Sequence, residues 1–249
     1  MKLGKSVEEK IDLTVKWLRE QVEQAEAKGL AVGISGGVDS ALTAFLIKRA
    51  FPQNSLGIIM PCESDPKDIE DALKVAAASQ IEFIQIDLTE IYATLMKNIF
   101  SQLENYKIGN KKIAMANTKA RLRMSTIYAI CNYLNFLVVG TDNAAEIYTG
   151  YFTKYGDGGV DIMPLANLTK REVRAWAREI GVPEEIILKA PSAGLWPNQT
   201  DEGEMGTTYD IIDDFLEGNK VPAKDFEIIE KLHRRSEHKR RLPSHPPRF

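Results

Sequence analysis

Six consecutive residues, Ser35-Gly36-Gly37-Val38-Asp39-Ser40, constrain this chain more than any other stretch. They follow a short apolar run, Leu30 to Ile34, and open onto a second one, Ala41 to Ile47. That order reads as strand, glycine-rich turn and helix. A turn of this kind leaves backbone N–H groups pointing outward at a helix N-terminus, a concavity suited to polyanions and above all to phosphates. Gly36 and Gly37 let the main chain approach a ligand closely, because no Cβ stands in the way. Ser35 and Ser40 add hydroxyl donors. Asp39 is the odd residue, since a carboxylate repels phosphate unless a cation lies between them. It is read as a ligand of Mg²⁺ held on a bound pyrophosphate group. The ATPase P-loop is excluded, because Val38 and Asp39 stand where its Lys is needed. The Rossmann pattern of three spaced glycines is absent too.

Strands and helices alternate around this turn. Leu30 to Ile34, Ser55 to Met60, Ile81 to Ile86 and Phe136 to Gly140 read as strands, the last apolar throughout and suited to burial on both faces. Helical patterns cover Asp39 to Arg49, Pro66 to Ala78, Leu88 to Leu103 and Ala116 to Leu134, and Ile11, Val15, Leu18 and Val22 recur at helical spacing before the first strand. The fold class expected is α/β, a parallel sheet with helices on both faces and right-handed crossovers. Ligands of such a sheet sit beyond the strand C-termini, where Ser35 to Ser40, Pro61 to Asp65 and Thr141 to Glu146 all fall. Thr141 offers a hydroxyl there, and Glu146, about one helical turn on, either pairs with Asp39 as a second metal carboxylate or is a solvated helix residue. Later in the chain, Thr169 and Glu172 form a capping box. The polar stretch Pro191 to Gly206 reads as a long functional loop.

Composition narrows the class. An apolar fraction of 44% and a charged fraction of 27% over 249 residues are those of an ordinary globular chain, and a net charge of -3 gives no reason to expect nucleic acid or membrane. Met1 to Ser6 leads into a charged amphipathic helix and not an apolar signal core, so a cytoplasmic protein is expected. Cys62 and Cys131 are too few and too isolated for a disulfide framework or a zinc site. One domain over residues 1–249 is expected, with a basic segment, 231–249, that holds all three histidines.

The loop Ser-Gly-Gly-X-Asp-Ser resembles the pyrophosphatase loop of the N-type ATP pyrophosphatases, which split ATP into AMP and pyrophosphate. Val139 to Glu146 and then Gly150 to Gly159 (Gly-Tyr-Phe-Thr-Lys-Tyr-Gly-Asp-Gly-Gly) are similar to ammonia-dependent NAD synthetases, as are Lys119 to Met124, Lys189 to Ser192 and Glu237 to Arg241. The resemblance implies an adenine nucleotide alpha hydrolase-like, Rossmann-like three-layer fold. It also implies ATP-dependent amidation of deamido-NAD by ammonia, the last step of NAD biosynthesis, through an NAD-adenylate. By similarity, Gly33, Ile34, Ser35, Gly36, Gly37, Val38, Asp39, Ser40, Thr141, Lys170 and Ser192 hold ATP, Lys170 being the phosphate lysine. Arg121, Lys154, Asp161, His238 and Lys239 match positions that hold deamido-NAD, which brings segment 231–249 to the substrate site. Asp39 and Glu146 hold Mg²⁺. Asp157 either orients ammonia or ends a turn. A homodimer is expected by similarity.

Two departures limit the carry-over. Ile58 to Cys62 offers no basic residue for the adenine pocket, and Gly194 stands where an acidic residue is common. Trp196 either covers the closed site or packs. No room exists for an amidase domain, so free ammonia or a separate partner is expected as the nitrogen source. The competing readings are another N-type pyrophosphatase, of the GMP synthetase or tRNA-thiolating kind, and a non-catalytic nucleotide sensor. Thiolation needs a well-placed Cys, RNA work favours a basic footprint, and a sensor favours loss of Asp39 or Glu146.

Overall fold

A computed structural model describes residues 4–106, 109–196 and 199–248. The first helix, α1 (Val7–Gln24), starts at a Ser6–Glu9 capping box and buries Ile11, Val15, Leu18 and Val22 on one stripe. There follow β1 (Gly29–Gly33), α2 (Val38–Ala50), β2 (Ser55–Ile59), α3 (Pro66–Ser79), β3 (Glu82–Gln85), α4 (Thr89–Gln102), α5 (Lys111–Leu134) and β4 (Phe136–Val138). The remaining helices are α6 (Ala144–Thr149), α7 (Lys170–Ile180), α8 (Glu184–Ile187), α9 (Asp201–Met205), α10 (Tyr209–Leu216) and α11 (Ala223–Ser236), with a 3₁₀ turn at Glu237–Lys239.

The sheet is parallel throughout, in the order β3-β2-β1-β4, with Val32 opposite Gly57 and Ala31 opposite Val138. Alternation along β1 divides the core. Leu30 and Val32 join Ile11, Leu42, Ile47, Val173 and Trp176 on one face, where α1, α2 and α7 pack. Ala31 joins Ile58, Tyr92, Ile127 and Val138 on the other, covered by α4 and α5. Each fully buried Leu or Ile here stabilises by roughly 1.5–3 kcal/mol. A third apolar cluster, Ala145, Met205, Tyr209, Ile212 and Ile229, joins α6, α9, α10 and α11. At Gly150, the left-handed C-cap of α6, an added Cβ would lie 2.1 Å from Ser236 Cβ, so the missing side chain is what lets α11 close against α6.

The alternating order of strands and helices and the expected fold class both hold. Some bounds differ. α5 begins five residues before the expected Ala116, because Asn110 caps it and its first turn is too exposed to show apolar periodicity. β4 ends at Val138, since Val139 pairs onward with Ile162. All four residues of β3 are exposed, as an edge strand allows. The stretch expected as a long loop carries α9, and Pro197 and Asn198 of it lie outside the described residues, as do Met1 to Leu3 and Phe249. The order reverses at β1, with β2 on one side and β4 on the other, so the crevice between the β1 and β4 loops is where a ligand belongs.

Candidate active site

The phosphate loop lies at that crevice with Gly37 as the N-cap of α2. Ser40 Oγ donates to Gly37 O (3.0 Å), lies 3.0 Å from Ser35 Oγ and accepts from Ser35 N (3.2 Å). Gly37 N donates to Ser35 Oγ (3.3 Å). Both hydroxyls therefore brace the loop from within, beyond the donor role expected of them. Gly36 has φ +83, and a Cβ there would sit 2.7 Å from Asp68 O, so this glycine is the point where the loop presses on α3.

Beside the loop, two carboxylates converge on one ammonium. Lys170 Nζ donates to Asp39 Oδ2 (2.5 Å) and to Glu146 Oε1 (3.3 Å). The lysine is 2% exposed. Asn143 Nδ2 donates to Asp39 Oδ1 (2.9 Å), while Asn143 Oδ1 caps α6 by accepting from Glu146 N. Tyr209 Oη bonds Glu146 Oε1 (2.9 Å) and Asp201 Oδ2 (3.1 Å), with its ring 4.6 Å from the ammonium. Burial pushes the Glu146 carboxyl up to about 7, against the pull of Lys170. Burial also pulls Lys170 down, but the Asp39 and Glu146 charges outweigh it and hold the ammonium above the ordinary lysine range.

A cavity of about 460 Å³ opens from this cluster, within the range of small-molecule sites. Gly33, Ile34, Ser35, Gly37, Val38, Asp39, Ser40, Thr141, Lys170 and Ser192 all line it, so it gathers the sequence candidates for ATP except Gly36. Asp142 and Asp157 form its acidic side. Burial raises the Asp142 carboxyl, and the negative charges of Asp157, Glu146 and Asp39 raise it further. Asp157 faces the cavity, and its Oδ1 accepts from Thr153 N (3.0 Å), so it both ends a turn and reaches the site.

The candidates for deamido-NAD are more scattered. Lys239 lines the cavity, its ammonium bound to Gly150 O (2.8 Å) and Phe152 O (2.6 Å). Arg121 reaches Lys154 O (3.2 Å), and Lys154 Nζ in turn bonds His238 O and Arg241 O (3.3 Å), so these cations clip the C-terminal segment to the chain. His238 and Asp161 are exposed. Asp161 accepts from Val138 N (2.8 Å) and Tyr128 Oη (2.9 Å), apart from the other four.

Sequence reasoning missed Asn143, Tyr209, Asp201 and Arg123. Only Asn143 carries a local signal, as the cap residue before Glu146. The base that Ile58 to Cys62 lacks arrives from α5, where Arg123 Nε donates to Met60 O (3.0 Å) and the side chain lines the cavity. Gly194 approaches Asp68 Oδ2, and Trp196 lines the cavity with the Lys112 ammonium 4.0 Å from its ring. Among the described residues, no cluster of three or more His, Cys, Asp or Glu side chains surrounds one point. The Asp39–Glu146 pair still fits Mg²⁺, which takes one or two carboxylates and completes its shell with phosphate oxygens and water. The ammonium they share shows that both carboxylates reach a single cation position.

Comparison with known proteins agrees with this geometry. The NAD synthase family profile matches residues 10–243. The chain is 58% identical to the "NH(3)-dependent NAD(+) synthetase" of Alkaliphilus oremlandii over 98% of its own length and 99% of the relative's, and 51% identical to that of Carboxydothermus hydrogenoformans, covering 96% and 97%. Among solved structures, "NMN synthetase from Francisella tularensis" superposes with a TM-score of 0.91 at 40% identity, covering 98% and 99%. The NH3-dependent NAD synthetase of Campylobacter jejuni, solved with nitrate, gives 0.79 at 26%, covering 98% and 100%. With this profile match and these relatives, and with its Ser-Gly-Gly-Val-Asp-Ser loop, carboxylate pair and buried lysine gathered at the switch point of a parallel sheet, the chain belongs to the NAD synthase family.

Proposed function

We propose that this enzyme converts deamido-NAD, ATP and ammonia into NAD, AMP and pyrophosphate, and that the convergence of Asp39, Glu146 and Lys170 beside the phosphate loop carries the reading. A carboxylate is a poor acyl donor, because oxide is a bad leaving group, and adenylation supplies a good one. The nicotinate carboxylate oxygen attacks the α-phosphorus, the bond to the bridging oxygen of the β-phosphate breaks, and pyrophosphate departs. Ammonia then attacks the acyl carbon, AMP leaves with the electron pair of the broken C–O bond, and one proton is lost from nitrogen. Such a displacement is catalysed chiefly by positioning and charge neutralisation.

The chain's own groups supply both. The N–H groups at the start of α2 face the departing diphosphate, and Ser35 and Ser40 keep that loop in shape. Lys170 neutralises phosphate charge. Mg²⁺, when bound, screens the phosphate oxygens through Asp39 and Glu146. Asp157 orients ammonia at the acidic side of the cavity. Arg121, Lys154, His238 and Lys239 favour a substrate with a pyrophosphate and a free carboxylate, and Asp161 accepts from a ribose hydroxyl. Segment 231–249 thereby belongs to the substrate site of a single domain.

A homodimer fits the α4 surface. Ile91, Leu95 and Ile99, with Leu103 just beyond, form a stripe at four-residue spacing, each at least 37% exposed, the kind of contiguous apolar face a partner covers. Ile99→Glu should halve the mass read by light scattering. The cytoplasm suits two cysteines that are free and buried. Burial raises both thiols, which leaves neither suited to thiolation chemistry. The Francisella likeness favours a second reading, in which the acid form of NMN is the substrate. Incubation with ATP, Mg²⁺ and ammonium, with deamido-NAD or that mononucleotide acid, decides. AMP with NAD supports the proposal, and turnover of the mononucleotide alone transfers it to the second reading. ATP binding without any turnover refutes both.

A further inference from the structure

Given Asp39 and Glu146 as metal ligands, a reading on which this step rests, we propose that Lys170 is the resident cation of the nucleotide-free site and that Mg²⁺ enters only as the nucleotide draws Lys170 away. Three observations carry it. The Lys170 ammonium already occupies the point on which both carboxylates converge, at 2.5 Å from Asp39 Oδ2 and 3.3 Å from Glu146 Oε1. The remaining Asp39 oxygen accepts from Asn143 Nδ2, Glu146 Oε2 from Asn143 N and Glu146 Oε1 also from Tyr209 Oη, so all four carboxylate oxygens are already engaged and a second cation would have to share them. The lysine side chain is only 3% exposed, so the ammonium must leave before a hydrated ion can take its place.

The geometry also gives Lys170 somewhere to go. Its backbone is fixed at the start of α7, where Lys170 N donates to Asp213 Oδ1 (3.0 Å) and Thr169 caps the helix. Beyond that anchor the four-carbon stem offers rotatable bonds that can carry the ammonium, and Lys170 lines the cavity. Ser35, Gly37 and Ser40 line the same cavity. A triphosphate in that cradle presents oxygens more anionic than a carboxylate, and the ammonium is drawn to them. The carboxylates are then released to the ion that travels with the nucleotide. A divalent ion beside an unmoved ammonium would instead put like charges in contact in a buried site. Free metal is thus refused, and the metal–nucleotide complex is accepted as a unit.

Mn²⁺ serves as the reporter, followed by electron paramagnetic resonance on the full chain, alone and with α,β-methylene-ATP, which cannot be split between its first two phosphorus atoms. The wild type alone is expected to leave Mn²⁺ free and to retain it with the analogue. Lys170→Met, without nucleotide, is expected to bind Mn²⁺ at least tenfold more tightly than the wild type, and adding Glu146→Gln should abolish the gain. Lys170→Gln serves if the Met variant does not fold. Wild-type protein that binds Mn²⁺ without nucleotide as tightly as it does with the analogue overturns the proposal, whatever the variants do. Mn²⁺ that stays free even with the analogue removes the metal reading itself, and the exchange with it.

Discussion

Asp39→Asn separates chemistry from folding at this site. The substitution removes one of two carboxylates that share a single buried ammonium. Two unit charges about 4 Å apart attract by about 4 kcal/mol at an effective dielectric of 20. Desolvating a carboxylate costs several kcal/mol in the other direction, and Asp39 is mostly buried, its side chain 17% exposed. The two largely offset. What remains is a hydrogen-bond mismatch. Asp39 accepts on both oxygens, from Lys170 Nζ and from Asn143 Nδ2. An amide must turn its NH₂ toward one of those donors, and Asn143 cannot reverse without giving up its cap on α6. One buried donor loses its partner, at about 1–3 kcal/mol. Turnover should fall further, by about 10²–10³-fold, the usual loss when one charge-stabilising group is removed. Urea unfolding and AMP release read the two quantities on the same sample. Activity within tenfold of wild type at unchanged Mg²⁺ dependence would refute the metal assignment. A stability loss beyond about 5 kcal/mol would recast Asp39 as a structural residue.

Three further outcomes are expected. Burial raises the Glu146 carboxyl from 4.5 to about 7 in the folded protein. Its contribution to stability is therefore complete below pH 4.5 and lost as pH rises through 7, so relative to Glu146→Gln the wild type should lose about 3 kcal/mol between pH 4.5 and 8; a pH-independent difference in urea midpoints would contradict this. Lys154→Ala frees the carbonyls of His238 and Arg241 and should raise KM for deamido-NAD about tenfold or more, the loss of one charged hydrogen bond, while KM for ATP stays within about twofold; equal losses for both would count against the placement of Lys154. Gly36→Ala forces a left-handed φ on a residue with a Cβ, at about 1–2 kcal/mol, and drives that Cβ to 2.7 Å from Asp68 O, at about 1–3 kcal/mol more; a loss under about 1 kcal/mol in urea would show that the loop gives way.

What was legible in the sequence is what neighbouring residues determine. The phosphate loop could be read because its requirements, two glycines, flanking hydroxyls and a helix start, fall within six positions. The Thr169–Glu172 capping box could be read for the same reason, and both its hydrogen bonds are present. The four strands could be read because apolar runs bounded by turns have few alternatives in an alternating chain. Contacts between distant residues were illegible. Tyr209 touches Glu146 across 63 positions and Asn143 touches Asp39 across 104, and no local pattern records either pairing. Arg123 was hidden differently: its side chain crosses from α5 to the end of β2, so the missing base could not be found by inspecting β2 alone.

The site nonetheless has one organising rule, which the caps express. Asp39, Glu146, Lys170, Asp201 and Tyr209 come from five helices, and each stands in the first turn of its own. First-turn side chains point back past the helix start, so five helix starts brought together bring these groups together. The same starts present N–H groups with no partner inside the helix, and their partial positive charge favours carboxylates. That bears on how Asp39 and Glu146 are held around one ammonium, with Asp201 joined to them through Tyr209. The residues that set the starts are Gly37, Asn143, Thr169, Thr200 and Thr208, all of them types favoured at an N-cap. Four of the five cap through the side chain, as Thr208 does for Ile211 N. Moving any one start by a residue would rotate its functional group by about 100° about the helix axis, which takes a carboxylate, a lysine or a tyrosine off the common point. The chemistry of the site is therefore set by where helices begin, and each beginning is fixed by a single small residue.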